Sequence, residues 1–129
     1  MKKKKKATVK SSRKKPNRKT AILYTRFEVG QTDDSRNSCS GQEKILREYC
    51  KKKKIEVIRV YSEFAQGRDF ERPEFQKVLS EIKSGKLKSD YFLFTTWDRF
   101  SRNIGNGLSM VGHLNAFGIE LIAIQEITF

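Results

Sequence analysis

The first nineteen positions contain no acidic residue, and the whole chain has only two cysteines, two prolines, one tryptophan and one histidine. No apolar run approaches the roughly 18 residues that a membrane-spanning helix needs. Each shortage excludes something. Cys39 and Cys50 match no metal-ligand spacing, and two thiols in a lysine-rich chain without a secretory signal read as reduced, in a cytoplasmic protein. His113 stands alone on a helical pattern and is assigned no chemistry. No segment repeats at a fixed period, which argues against a solenoid. No Gly-rich phosphate loop follows the first apolar run, which weakens a nucleotide-binding reading. No metal and no cofactor are expected.

What the chain has is charge, unevenly placed. Its 129 residues suit one domain with its own core, and 28 Lys and Arg against 15 Asp and Glu give a net charge of +13. Eleven of the basic groups, Lys2, Lys3, Lys4, Lys5, Lys6, Lys10, Arg13, Lys14, Lys15, Arg18 and Lys19, lie in residues 1–19. Subtracting 11 from 28 leaves 17 basic against 15 acidic groups in residues 20–129, or +2. The body is nearly neutral, and the tail is the polycation. Such a block repels itself and buries nothing, so residues 1–19 are expected to be a disordered basic tail that contacts a polyanion such as DNA.

Beyond the tail the periodicity alternates between strand and helix. AILYTRF (21–27) reads as a strand buried on both faces, and residues 28–39 read as a loop. Ser40-Gly41-Gln42-Glu43 has the form of a capping box, in which Ser40 would cap a helix carrying Ile45, Leu46, Tyr49 and Cys50 inward. Lys51 to Lys54 suit the negative end of that helix's dipole. IEVIRVY (55–61) is a second strand, followed by a loop to Pro73 at the first position of a helix with Phe75, Val78, Leu79 and Ile82 on one face, ended by Gly85. Tyr91 to Thr95 is a third strand. Ile104, Leu108, Val111, Leu114 and Phe117 keep helical spacing up to Gly118, and IELIAI (119–124) is a fourth strand. This alternation predicts an α/β fold with a parallel sheet and right-handed crossovers.

Ligands of open parallel sheets bind beyond the carboxyl ends of the strands. Arg26 and Glu28 lie at the end of the first strand, Arg72 follows the second, and Asp98, Arg99 and Arg102 follow the third. Arginine offers a planar fork of donors that fits two phosphate oxygens, so arginines meeting here suit a phosphodiester and its more highly charged transition state. Asp98 could orient an arginine or handle a proton on a leaving oxygen. Ordinary ion pairs, Arg72 with Glu74 and Asp98 with Arg102, are the simpler alternative.

Tyr24-x-Arg26, Gln42, Arg72-Pro73 and Asp98-Arg99-x-x-Arg102-Asn103 together resemble the catalytic domain of the serine recombinases, the resolvases and invertases, over about residues 20–129. The W-D-R-F-S-R-N segment is the most specific part. The resemblance implies a three-layer α/β/α domain around a mainly parallel sheet of four or five strands. It also implies cleavage and rejoining of DNA through a covalent phosphoserine link, without metal or high-energy cofactor, in a homo-oligomer that is a dimer or tetramer. Arg26, Arg72, Arg99 and Arg102 would hold the scissile phosphate, Asp98 would assist the leaving oxygen, and Gln42 would support the pocket. The family's long dimerisation helix and DNA-recognition domain are not recognisable in residues 20–129.

One position departs from the pattern. The family reads Tyr-x-Arg-x-Ser with the serine as nucleophile, whereas this chain reads Tyr24-Thr25-Arg26-Phe27-Glu28. A second serine, usual before a glycine after strand two, is Gln66 before Gly67. Attack by Glu28 on a phosphodiester would give an acyl phosphate, a poor store for rejoining. Its charge would also repel the phosphate, at on the order of 4 kcal/mol for two like charges about 4 Å apart at an intermediate dielectric. Cleavage by the family mechanism is therefore expected to be impaired. Ser35, Ser38, Ser40 and Thr25 are the nearby hydroxyls; Ser40 is read as a cap and Thr25 as facing away from Arg26. Three functions remain: a recombinase catalytic domain, a catalytically inactive paralogue that binds DNA or an active recombinase, and a flavodoxin-like domain for a small phosphorylated ligand.

Overall fold

A computed structural model of the chain describes residues 18–28, 38–65, 72–101 and 104–125, with the side chains of Glu28, Ala65, Ile104 and Asn106 outside the description. Strand β1 (Thr20–Glu28) is its axis. Alternate β1 side chains enter different cores. Ile22 and Tyr24 join one and Ala21 and Leu23 the other, which is why the segment reads as nearly continuous apolar sequence.

Helix α1 (Cys39–Lys53) leads to β2 (Glu56–Ala65), α2 (Pro73–Lys83) and β3 (Tyr91–Phe94). A short helix α3 (Trp97–Phe100), then α4 (Ile104–Asn115) and β4 (Glu120–Ala123), complete the order. The four described strands lie β2-β1-β3-β4, all parallel. In the register, Thr20 pairs with Glu56 and Glu28 with Ala65, with one irregularity between Ala21 and Ile22. Helix α1 packs on one face through Leu46 and Cys50, and α2, α3 and α4 on the other. The three layers expected from the sequence are therefore present.

The two cores differ in kind. On the α2–α3–α4 side, Tyr24, Phe75, Phe92, Phe94 and Phe100 are fully buried and meet mostly edge to face, with Phe94 stacked on Phe100 at a centroid distance of 4.9 Å. Such ring pairs contribute about 0.5–1.5 kcal/mol each beyond their burial. The α1 side holds Ala21, Leu23, Leu46, Cys50, Ile55 and Leu93 and no buried ring.

Several expectations are corrected. The α1 cap is Ser38, not Ser40: the Ser38 hydroxyl accepts the Gly41 N–H at 3.0 Å, and Ser40 is an exposed first-turn residue. Of two serines two residues apart, the earlier one closes the bond three residues on, so the capping-box pattern was met two residues late. Strand β2 runs four residues past Tyr61, because Ser62 to Ala65 continue the pairing with β1. In α4, Leu114 is buried but Leu108 is 67% exposed, and Phe117, 47% exposed, lies in the turn after the helix. Periodicity identified that helix without identifying which apolar residues the sheet could reach. Gly85 and Gly118 close α2 and α4 at positive φ, 83° and 78°, where glycine alone is unstrained. The basic segment 1–17, residues 29–37 with Ser35, residues 66–71 with Gln66 and Gly67, Arg102 with Asn103, and residues 126–129 lie outside the described residues.

Candidate functional site

At the carboxyl end of β1 a side chain from another layer fixes the backbone. Gln42, fully buried on α1, accepts the Arg26 N–H through Oε1 at 3.1 Å and donates from Nε2 to the Arg26 carbonyl at 2.8 Å. The amide thus mimics a neighbouring strand and pins the residue that carries the first arginine. Arg26 itself is 5% exposed. Glu28 is the last residue of β1, with its side chain outside the description. Thr25, on the side opposite Arg26, is buried and bonded to the Ser62 hydroxyl at 3.0 Å, as its expected orientation required.

The principal group that sequence reasoning missed is Glu63. It is 1% exposed on β2, and its carboxylate accepts the Tyr24 hydroxyl at 3.0 Å, the Phe75 N–H at 3.1 Å and the Glu74 N–H at 3.1 Å. The last two are first-turn amides of α2, whose cap residue Arg72 makes no side-chain cap bond. A remote carboxylate therefore does the capping, in the field of the helix dipole that favours it. A signal existed: Arg-Pro opens α2 without a capping side chain, so its amides needed an acceptor elsewhere, and Glu63 was the acid near the end of the preceding strand.

Arg72 sits where this carboxylate fixes the chain. It is 6% exposed, and its guanidinium lies 5.4 Å from the Tyr24 ring centroid, 5.4 Å from Phe100 and 5.7 Å from Phe75. Nη2 donates to the Phe100 carbonyl and Nη1 to Met110 Sδ, while Nε is buried with no hydrogen-bond partner among the described residues. Burial, and after it Arg26, lowers the Arg72 pKa from the usual arginine value; Tyr24 and Glu63 oppose the shift. Burial likewise pushes the Tyr24 phenol far above its ordinary range, against the pull of Arg72, so Tyr24 stays a protonated donor. The pairing of Arg72 with Glu74 weighed above does not form, because Glu74 meets Lys77 at 3.4 Å. Cation–π contacts contribute about 0.5–2 kcal/mol each. Desolvating a guanidinium costs several kcal/mol, so a stability role alone accounts poorly for two such groups in one corner.

Arg99 is half-buried and Asp98 exposed on α3, beyond the end of β3. Arg26, Arg72 and Arg99 thus come from the ends of three adjacent strands at one sheet edge, and the placement of Arg102 is outside the description. No group of three or more His, Cys, Asp or Glu suited to a metal occurs among the described residues, and no described helix is long and apolar enough to cross a membrane.

The sequence pattern of the family described as Resolvase, N terminal domain matches residues 21–129. The chain belongs to the resolvase family. Solved structures agree with its α/β domain. The N-terminal catalytic domain of TP901-1 integrase is 25% identical with a TM-score of 0.67, covering 82% of this chain and 77% of that one. A serine recombinase from Sulfolobus solfataricus is 25% identical with a TM-score of 0.63, covering 87% and 72%. The C-terminal catalytic domain of ISC1926 TnpA, an IS607-like serine recombinase, shares the fold at 20% identity and a TM-score of 0.67, covering 81% and 67%. Comparison with curated protein sequences finds no significant match. Within the resolvase family this chain is a recombinase catalytic domain by fold and sequence pattern.

Proposed function

We propose that residues 20–129 form a serine-recombinase catalytic domain that engages a DNA phosphodiester through Arg26, Arg72, Arg99 and Arg102, with residues 1–19 as a basic extension holding the same DNA. Asp98 assists at the leaving oxygen and Gln42 keeps Arg26 in place. The observation that carries this reading is the pair of buried arginines around Tyr24 and Glu63. The Glu63 oxygens are already taken by Tyr24 and the α2 amides, and an arriving phosphate would supply the counter-charge that Arg72 lacks as a direct partner. For Arg72 to reach that phosphate, its guanidinium must exchange the Phe100 carbonyl for a phosphate oxygen, which requires α3 or the side chain to shift. In the assembled homo-oligomer of the family, DNA docking provides the occasion.

Glu28 sets the limit of the activity. A carboxylate at the nucleophile position repels the phosphate and forms no stable phosphoserine link, so strand cleavage by the family route is blocked. The second reading follows from the same residue: a catalytically inactive regulatory paralogue that binds DNA or an active recombinase through the surfaces retained. Incubation with nicked candidate sites, followed by denaturation, should give no covalent protein–DNA adduct with the native protein and an adduct with Glu28→Ser. An adduct on the native protein would remove the inactivity claim. If both proteins are inert on every substrate while a small phosphorylated ligand binds tightly, the recombinase reading fails.

A further inference from the structure

The positive charge of this protein is not where its arginine site is. Residues 1–19 carry 11 basic groups and no acid, and Lys51 to Lys54 add four more. Removing these 15 from the total of 28 leaves 13 basic against 15 acidic groups in the rest of the chain, a balance of −2. The entire excess therefore resides in two sequence segments.

The fold brings Lys19, the last residue of the first segment, beside the second. The Glu56 N–H donates to the Lys19 carbonyl at 2.9 Å, which seats the start of β1 beside the end of α1. There Lys19, Lys53 and Lys54, all exposed, line a notch of about 330 Å³ with Tyr49 and Tyr91. Lys53 Nζ stands 5.9 Å from the Tyr49 ring centroid. This is the amino-terminal edge of the sheet, and Arg26 lies seven residues along β1, roughly 23 Å away at about 3.3 Å per residue. The Debye length at physiological salt is about 8 Å, so charge at this edge does little for a phosphate at the other. The α1 dipole benefits from a cation or two in its last turn. It does not account for Lys19 converging on the same notch.

We propose that this edge is a second, sequence-independent contact for the DNA backbone, in which Lys19 and Lys51–Lys54 neutralise phosphates alongside Tyr49 and Tyr91. The proposal rests on the preceding reading only in taking DNA as the ligand. An acidic membrane fits less well: among the described residues, Phe64, Trp97, Leu108 and Phe117 are the exposed large apolar side chains, and none lines the notch to insert among lipids.

The test is fluorescence anisotropy of the full chain with a labelled duplex of arbitrary sequence across a salt series. Each neutralised phosphate contributes about 0.9 to the slope of log K against log salt. With Lys51–Lys54 all changed to Gln, the slope should fall by about 2–4 and affinity at low salt by at least about tenfold. Changing the same four to Arg should leave both near the native values. Because those changes could also disturb α1, lysine acetylation of the native protein with and without duplex gives a second measure, and DNA should protect Lys19 and Lys51–Lys54. Unchanged affinity and slope in the Gln protein, or equal acetylation with and without DNA, overturns the proposal. So does protection by phosphatidylserine–phosphatidylcholine vesicles in place of DNA. Binding at this edge without any adduct from Glu28→Ser would leave the proposal standing and count against the arginine site alone.

Discussion

The two ends of the sheet handle cations in opposite ways. At the carboxyl end, Arg26 and Arg72 are 5% and 6% exposed, and Arg72 is caged by rings, a carbonyl and a thioether. At the amino end, Lys51 to Lys54 are solvent-exposed on a helix end. A buried guanidinium has few conformations and a high electrostatic cost, which suits one ligand in one geometry. An exposed ammonium is cheap to keep and free to follow any anion. On the proposed reading, the difference teaches that net charge marks the polyanion surface, whereas charge buried at a cost marks the phosphate site.

If the carboxyl end is a pre-organised site, its supports should be expensive to remove. The largest effect belongs to Glu63: Glu63→Ala strands the Tyr24 hydroxyl and two α2 amides and should lower unfolding free energy by about 3–5 kcal/mol, read from urea denaturation. Phe100→Ala opens the ring cluster beneath Arg72 and should cost about 3–5 kcal/mol, toward the lower end where the rings repack. A loss below about 1 kcal/mol for either would mean that this corner is not rigidly held. Gln42→Ala, which frees both Arg26 backbone groups, should cost about 1–3 kcal/mol, with faster hydrogen exchange at the Arg26 amide.

Tyr24→Phe sharpens the comparison through pH. Removing one donor to Glu63 should cost about 1 kcal/mol near neutrality. The Tyr24 pKa is raised in the fold, first by burial, so the native state keeps a proton that the unfolded chain releases near pH 10. Its contribution is complete below that value and is lost as pH rises beyond it, so the Phe protein should lose stability less steeply in alkali. Tyr61, raised by burial and by its bond to Glu81, supplies a remaining alkaline slope.

The smallest effect tests the amino end. Lys54 ends α1 in the left-handed region at φ 60°, ψ 43°, so Lys54→Gly should stabilise the protein by about 0.5–1 kcal/mol while removing one cation. Loss of stability there would indicate that the Lys54 side chain has a structural partner.

Much of this site was legible in residue order. Arg26, Arg72 and Arg99 fall at or after the ends of three strands, and a parallel sheet brings such ends to one edge. What was not legible was depth. Arg72 reads in sequence as a loop cation before a helix, but the chain folds it under Phe100, 28 residues later, and over Tyr24, 48 residues earlier. Glu63 was read as loop because its strand segment, SEFA, lacks the apolar run that marks IEVIRVY. Only pairing with Thr25–Glu28 of β1 makes it a strand and turns the carboxylate toward α2.

By itself the sequence determined the alternation of strands and helices, the apolar spacing that buries β1 on both faces, and the separation of a basic segment from a near-neutral body. These follow from local periodicity and composition, which act over a few residues. Tertiary structure alone decided that Ser38 caps α1, that Glu63 caps α2, that Gln42 clamps Arg26, and that Lys53 and Lys54 share a notch with Lys19. Each of the last three depends on groups distant in sequence coming within hydrogen-bonding or electrostatic reach, and the first on which serine the entering loop brings to the helix amides. No local pattern encodes those distances.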